Sequence, residues 1–130
     1  MNDSILTTTK KLLQLAEDYD AFDTDIIMLV NSALSDLQQL GVGPEMGFSI
    51  MDKSATWSQL LGGDLRLNNV QEYVFLKVRL TFDPPQTQYL VTALQERVRE
   101  LAFRINVQRE KEIWIDPNPP VVDPDALIVP

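Results

Sequence analysis

Apolar residues recur through most of this chain at intervals of three and four, the spacing that lays them along one face of an α-helix. Ser4 is placed to cap a first helix in which Ile5, Leu6, Thr9, Leu12, Leu13 and Ala16 form the inward stripe, while Thr7, Lys10, Lys11 and Gln14 face out. Asp23 or Thr24 caps a second, whose dry face holds Ile26, Ile27, Leu29, Val30, Ala33, Leu34, Leu37 and Leu40. Gly41 ends it, since glycine accepts left-handed backbone. The other side of this helix, with Asn31, Ser32, Ser35, Gln38 and Gln39, is polar but uncharged, as plain surface or a subunit contact would be.

Gly41-Val42-Gly43-Pro44 is turn chemistry, and Phe48-Ser49-Ile50 alternates like a very short strand, which predicts an extended segment near residues 46–51. Ser54 or Thr56 then opens one or two helical turns through Trp57, Leu60 and Leu61, stopped by Gly62-Gly63. From Leu67 to Phe82 apolar residues occupy nearly every angle of the helix, which predicts a central, buried one. Asp83-Pro84-Pro85 breaks it, because proline lacks the amide donor and disfavours helical backbone in the residue before it. A long helix follows, from about Gln86 to Arg109, with Leu90, Leu94, Val98, Leu101 and Ile105 as its seam and Glu100 and Arg104 as an i,i+4 ion pair.

The final stretch differs in kind. Residues 112–130 hold five prolines, no glycine, no basic residue and a charge of −4, yet Ile113, Trp114, Ile115, Val121, Val122, Leu127, Ile128 and Val129 make them strongly apolar. An extended arm that lies on a surface fits this composition, and at about 3.1 Å per residue it reaches about 60 Å. The predicted architecture is therefore all-α. It is a small bundle of four to five helices over residues 1–111 with a long last helix, followed by a proline-rich docking arm over 112–130.

Composition narrows the chemistry. A chain of 130 residues is one domain with one modest core. It has no histidine and no cysteine, which excludes histidine-dependent triads, cysteine nucleophiles, zinc sites built on those residues and disulfides. A net charge of −8 disfavours the phosphate contacts of strong nucleic-acid binding. No apolar run is long enough to span a bilayer, and Met1-Asn2-Asp3 does not open a signal peptide, so synthesis in the cytoplasm is expected.

Candidate sites reduce to contacts. The acidic run from Glu17 to Asp25 lacks the glycine and alternating ligands of a calcium loop: counted from Asp18, the fifth and sixth positions are Phe22 and Asp23. Asp23 and Asp25 are better placed to favour the start of the second helix. Gly41-Val42-Gly43 and Gly62-Gly63 lack the partners of dinucleotide or phosphate loops. No catalytic residue, cofactor or metal is expected. Lys77 falls inside an apolar stripe and must pair or snorkel, and Arg79 is expected to pair with Glu72. Trp57 suits packing or contact, and Trp114 suits docking. Trp57, Lys77, Arg79, Ile113, Trp114, Ile115, Val121 and Val122 are the candidate interface residues.

The segment ILTTTKKLLQLAEDYDAFDTDIIMLVNSALSDLQQLGVGP, then TWSQLL, then VQEYVFLKVRLTFDPPQT and LQERVRELAFRINVQRE, resembles the head-tail connector (adaptor, or head-completion) proteins of long-tailed bacteriophages, from about Ile5 to Glu112. Its most specific pieces are Tyr73-Val74-Phe75-Leu76-Lys77-Val78-Arg79-Leu80 running into Asp83-Pro84-Pro85, and Asn31-Ser32-Ala33-Leu34 paired with Gln39-Leu40-Gly41-Val42. The resemblance implies a structural virion protein at the head-tail junction, a dodecameric homo-oligomeric ring below the portal protein. Such a ring completes the head after DNA packaging, joins it to stopper or tail-completion proteins and lets DNA pass without specific binding. The competing reading is a stand-alone helical binding or regulatory module. A carboxylate-only hydrolase ranks third, since it needs two acids facing across a cleft.

Overall fold

Each helix begins where the sequence offers a cap, a favourable charge or a break behind it. The computed structural model describes residues 3–62 and 66–113. Its helices are α1 (Ile5–Leu12), α2 (Asp23–Gln39), α3 (Trp57–Leu61), α4 (Leu67–Phe82) and α5 (Gln88–Ile113). Ser4 Oγ accepts from the Thr7 amide at 3.1 Å and opens α1. Thr56 opens α3 through a reciprocal capping box: its hydroxyl accepts from Gln59 N, and the Gln59 side chain accepts from Thr56 N. Thr87 Oγ1 accepts from the Leu90 amide at the start of α5.

The opening of α2 departs from expectation. The residue before the helix is Phe22, with no side-chain cap, and Asp23 is already the first helical residue. Asp23 and Asp25 instead lie in the first turn, where their charge favours the helix dipole. At the far end Gly41 adopts φ 81° and turns the chain out of the helix. Two residues on, Gly43 at φ 84° approaches α3 so closely that a Cβ there would lie 2.7 Å from Leu60 Cδ1.

Helix α4 is central, as its apolar wheel predicts. It packs against α2 on one flank and α5 on the other, with α1 laid against α2 and α4. Val70, Val74 and Val78 of α4 meet Ile26, Val30, Ala33, Leu34 and Leu37 of α2 in one core with Ile5, Trp57, Leu60, Leu101 and Ile105. The α5 seam fades towards its start. Leu101 and Ile105 are fully buried, Leu94 and Val98 partly so, and Leu90 remains 48% exposed. At about 1.5 Å per residue α5 runs about 39 Å, and it continues through Ile113, two residues past the boundary expected for the helical body.

One sequence expectation fails locally. In α1 Lys10 is buried at 2% exposure and Leu12 is 45% exposed, the reverse of the predicted stripe. The helix stops at Leu12, Gln14 takes a positive φ of 65°, and the chain doubles back so that the Lys10 amine meets the Glu17 carbonyl and Asp23, both at 2.9 Å. The Phe48–Ile50 segment lies outside the helices, as expected, and joins no ladder; the bridge among the described residues is Ser4 with Thr56. The Asn31 side chain stands in for a neighbouring strand, accepting from Ile50 N at 2.7 Å and donating to Ile50 O at 2.9 Å. Gln38 likewise donates to the Glu45 carbonyl, so the polar side of α2 is partly a seat for the 41–56 loop.

Candidate interaction surface

The charged residues of the helices sort into those that hold the bundle together and those left facing out. Lys77, on α4, pairs with Asp36 of α2 at 3.3 Å. Tyr73, one turn earlier, also hydrogen bonds Asp36; burial first, and then this carboxylate, push its phenol up to about 12. Glu72 on the other flank of α4 takes Arg97 of α5 as a bidentate partner at 2.7 and 2.9 Å. That double hydrogen bond holds the Glu72 carboxyl below the usual range, burial opposing it only in part. Arg97 reaches on to Glu100 at 3.3 Å, and Glu100 meets Arg104 at 2.6 Å, the i,i+4 pair anticipated from sequence.

Arg79 therefore does not pair with Glu72. Glu72 is engaged by α5, while Arg79 lies in the last turn of α4 beside a small hollow lined by Leu12, Leu13, Gln14 and Asp83. Trp57 is 1% exposed and packs in the core. Ile113 is the last residue of α5, and Trp114, Ile115, Val121 and Val122 lie outside the described residues. The structure thus brings Lys77 to α2, Trp57 into the core and Arg79 to the end of α4.

Sequence reading passed over four residues that fasten the fold: Lys10, Asn31, Arg66 and Arg97. Arg66 is buried at 4% exposure and donates to the Gly41 and Ile105 carbonyls, which join the end of α2 to α5. Only Arg97 carried a local signal, its i,i+3 spacing to Glu100; the others act over distances that only the tertiary fold brings together.

What remains outside is a set of apolar and charged surfaces. Arg99, Phe103 and Val107 follow one another at i, i+4 and i+8 on α5, with Arg99 and Phe103 well exposed at 72% and 69%. Tyr89 stands out from the first turn of the same helix. A separate hollow of about 480 Å³ is lined by Leu6 and Ile27, by Glu17, Asp18, Asp20 and Asp23, and by Met51, Asp52 and Lys53. Phe22, at its border, stacks edge-on between Tyr19 and Phe82 at centroid distances of 5.8 and 5.3 Å. Among the described residues there is no group of three or more carboxylates placed to hold a metal, and no helix long and apolar enough to cross a membrane.

Comparison with curated proteins and with solved structures yields no significant match. A family model described as phage connector protein matches residues 5–112, the span from the first residue of α1 to the last turn of α5. This covers most of the sequence and all five helices, and the chain belongs to the phage connector protein family, as a structural component of the bacteriophage head-tail connection.

Proposed function

We propose that the protein assembles as a dodecameric ring below the portal, completes the head after DNA packaging, and presents the surface on which stopper or tail-completion proteins build. The observation that carries this reading is the family match across all five helices, in a chain whose long last helix leaves aromatic side chains in solvent. Isolated large apolar groups are ordinary on a surface; several along one helix of a small domain suit a protein that works by contact.

The net charge of −8 supports the same role. A channel wall made from acidic subunits repels the phosphate backbone and lets DNA slide. In this reading residues 1–111 are the connector domain, and the apolar, proline-rich residues 112–130 are an arm that clasps an adjacent subunit or the portal, with Ile113, Trp114, Ile115, Val121 and Val122 as its gripping residues. The virion is the site of action and the host cytoplasm the site of assembly. No step of the role calls for catalysis or a cofactor.

Electron microscopy of the purified protein mixed with its cognate portal tests the proposal. A closed annulus seated on the portal is expected. A protein that stays a single copy at every concentration and never binds the portal would overturn it.

A further inference from the structure

Closing a ring requires two different surfaces on each subunit, one meeting the other on the next copy, since a self-complementary patch stops at a dimer. The structure offers such a pair. Helix α5 packs mainly on α4, whereas the hollow is lined by Leu6 of α1, by residues 17–27 and by residues 51–53, so stripe and hollow are built from different elements.

The two are complementary in chemistry. Residues 17–25 hold five acidic residues and no basic one, whereas α5 carries five basic residues against four acidic ones and is the helix that brings Arg99 to an exposed position. The lining of the hollow combines the apolar Leu6, Ile27 and Met51 with five carboxylates and Lys53. The stripe has an apolar body, Phe103 and Val107, headed by the cation Arg99. Arg99 pairs with Glu96 at 2.7 Å, and both side chains are more than half exposed, so exchanging that carboxylate for one on a neighbour costs little.

From this we infer that the Arg99–Phe103–Val107 stripe of one copy seats in the acidic hollow of the next. Phe103 covers Leu6 and Ile27, and Arg99 meets the carboxylates of Asp18 and Asp20. The inference rests on the ring reading and names the contact that would close it. The order of contact is head to tail: each subunit gives its stripe on one side and receives on the other.

The natural absence of cysteine makes the contact directly testable. Asp20→Cys and Gln95→Cys, both at exposed positions and the second one turn before Arg99, are prepared separately and mixed on the portal with a short bis-maleimide linker. The mixture is expected to give covalent heterodimers, each variant alone none, and the double variant a ladder of multimers. Arg99→Glu is expected to raise the concentration needed for assembly at least tenfold, and adding Asp18→Arg and Asp20→Arg to it to restore most of that loss. Rings that form without the ladder, or homodimers from Gln95→Cys alone, would overturn the contact while leaving the ring. Failure of the wild-type chain to assemble at all would overturn the ring reading itself.

Discussion

Helix α4 buries Val70, Tyr73, Val74, Leu76 and Val78 within sixteen residues, whereas the 26-residue α5 fully buries only Leu101 and Ile105 among its described side chains. The joint between α2 and α4 is mainly apolar interlock, with polar contacts gathered at one point where Asp36 takes Lys77 and Tyr73. The joint between α4 and α5 adds polar fastening at several points: Glu72 with Arg97, Asn69 with Gln108, and Arg66 with the Ile105 carbonyl. A helix held along a narrow seam keeps most of its circumference free. The difference separates a part whose surface is used up in folding from a part whose surface remains for other chains.

The largest effect should come from the folding side. Leu76→Ala removes a side chain that is 5% exposed in the core and is expected to cost about 2–5 kcal/mol, read as a fall in melting temperature of about 10 °C or more. A melting temperature within a degree or two of wild type would show that α4 is not the centre of the fold. The polar clamp should matter less. The Glu72 side chain is 38% exposed and solvent screens its pair, so Glu72→Gln is expected to lose at most about 1 kcal/mol at neutral pH.

The pH dependence of that loss has a definite sign. The folded Glu72 carboxyl titrates below its ordinary value of 4.5, so the clamp's contribution is present above that pH and disappears as the pH falls through the folded value. Denaturant melts of wild type and Glu72→Gln should differ at pH 7 and converge in acid. Curves that keep a constant separation from pH 7 to pH 3 would assign the loss to something other than this charge.

Much of this division is legible in the amino-acid order. The bounds of α4 agree with the Leu67–Phe82 pattern, because an apolar wheel followed by Asp83-Pro84-Pro85 leaves little choice of where the helix lies or ends. The caps of α1 and α3 are equally local, each set by one hydroxyl and the amide three residues on. Lys10 could not be read in the same way. Its burial depends on Gln14 leaving the helix and on Asp23 arriving from α2, and a helical wheel drawn past Leu12 assumes a continuation that does not occur. Asn31 looked like surface because its partner, the Ile50 backbone, comes from a loop nineteen residues away. The proposed surface was only half visible for the same reason: the α5 stripe follows from spacing, but the hollow is assembled from three separate segments.

The smallest expected change in stability is also the most direct test of the division between folding and assembly. Phe103→Ser exchanges residues of similar helix propensity at a side chain that is 69% exposed, so the melting temperature should stay within about 2 °C of wild type. Measured on the same sample, the mass of the complex formed on the portal should fall to that of the portal alone or of incomplete rings. A full-mass ring carrying Phe103→Ser, or a variant that unfolds well below the wild-type temperature, would contradict the claim that α5 holds its outer face for another copy.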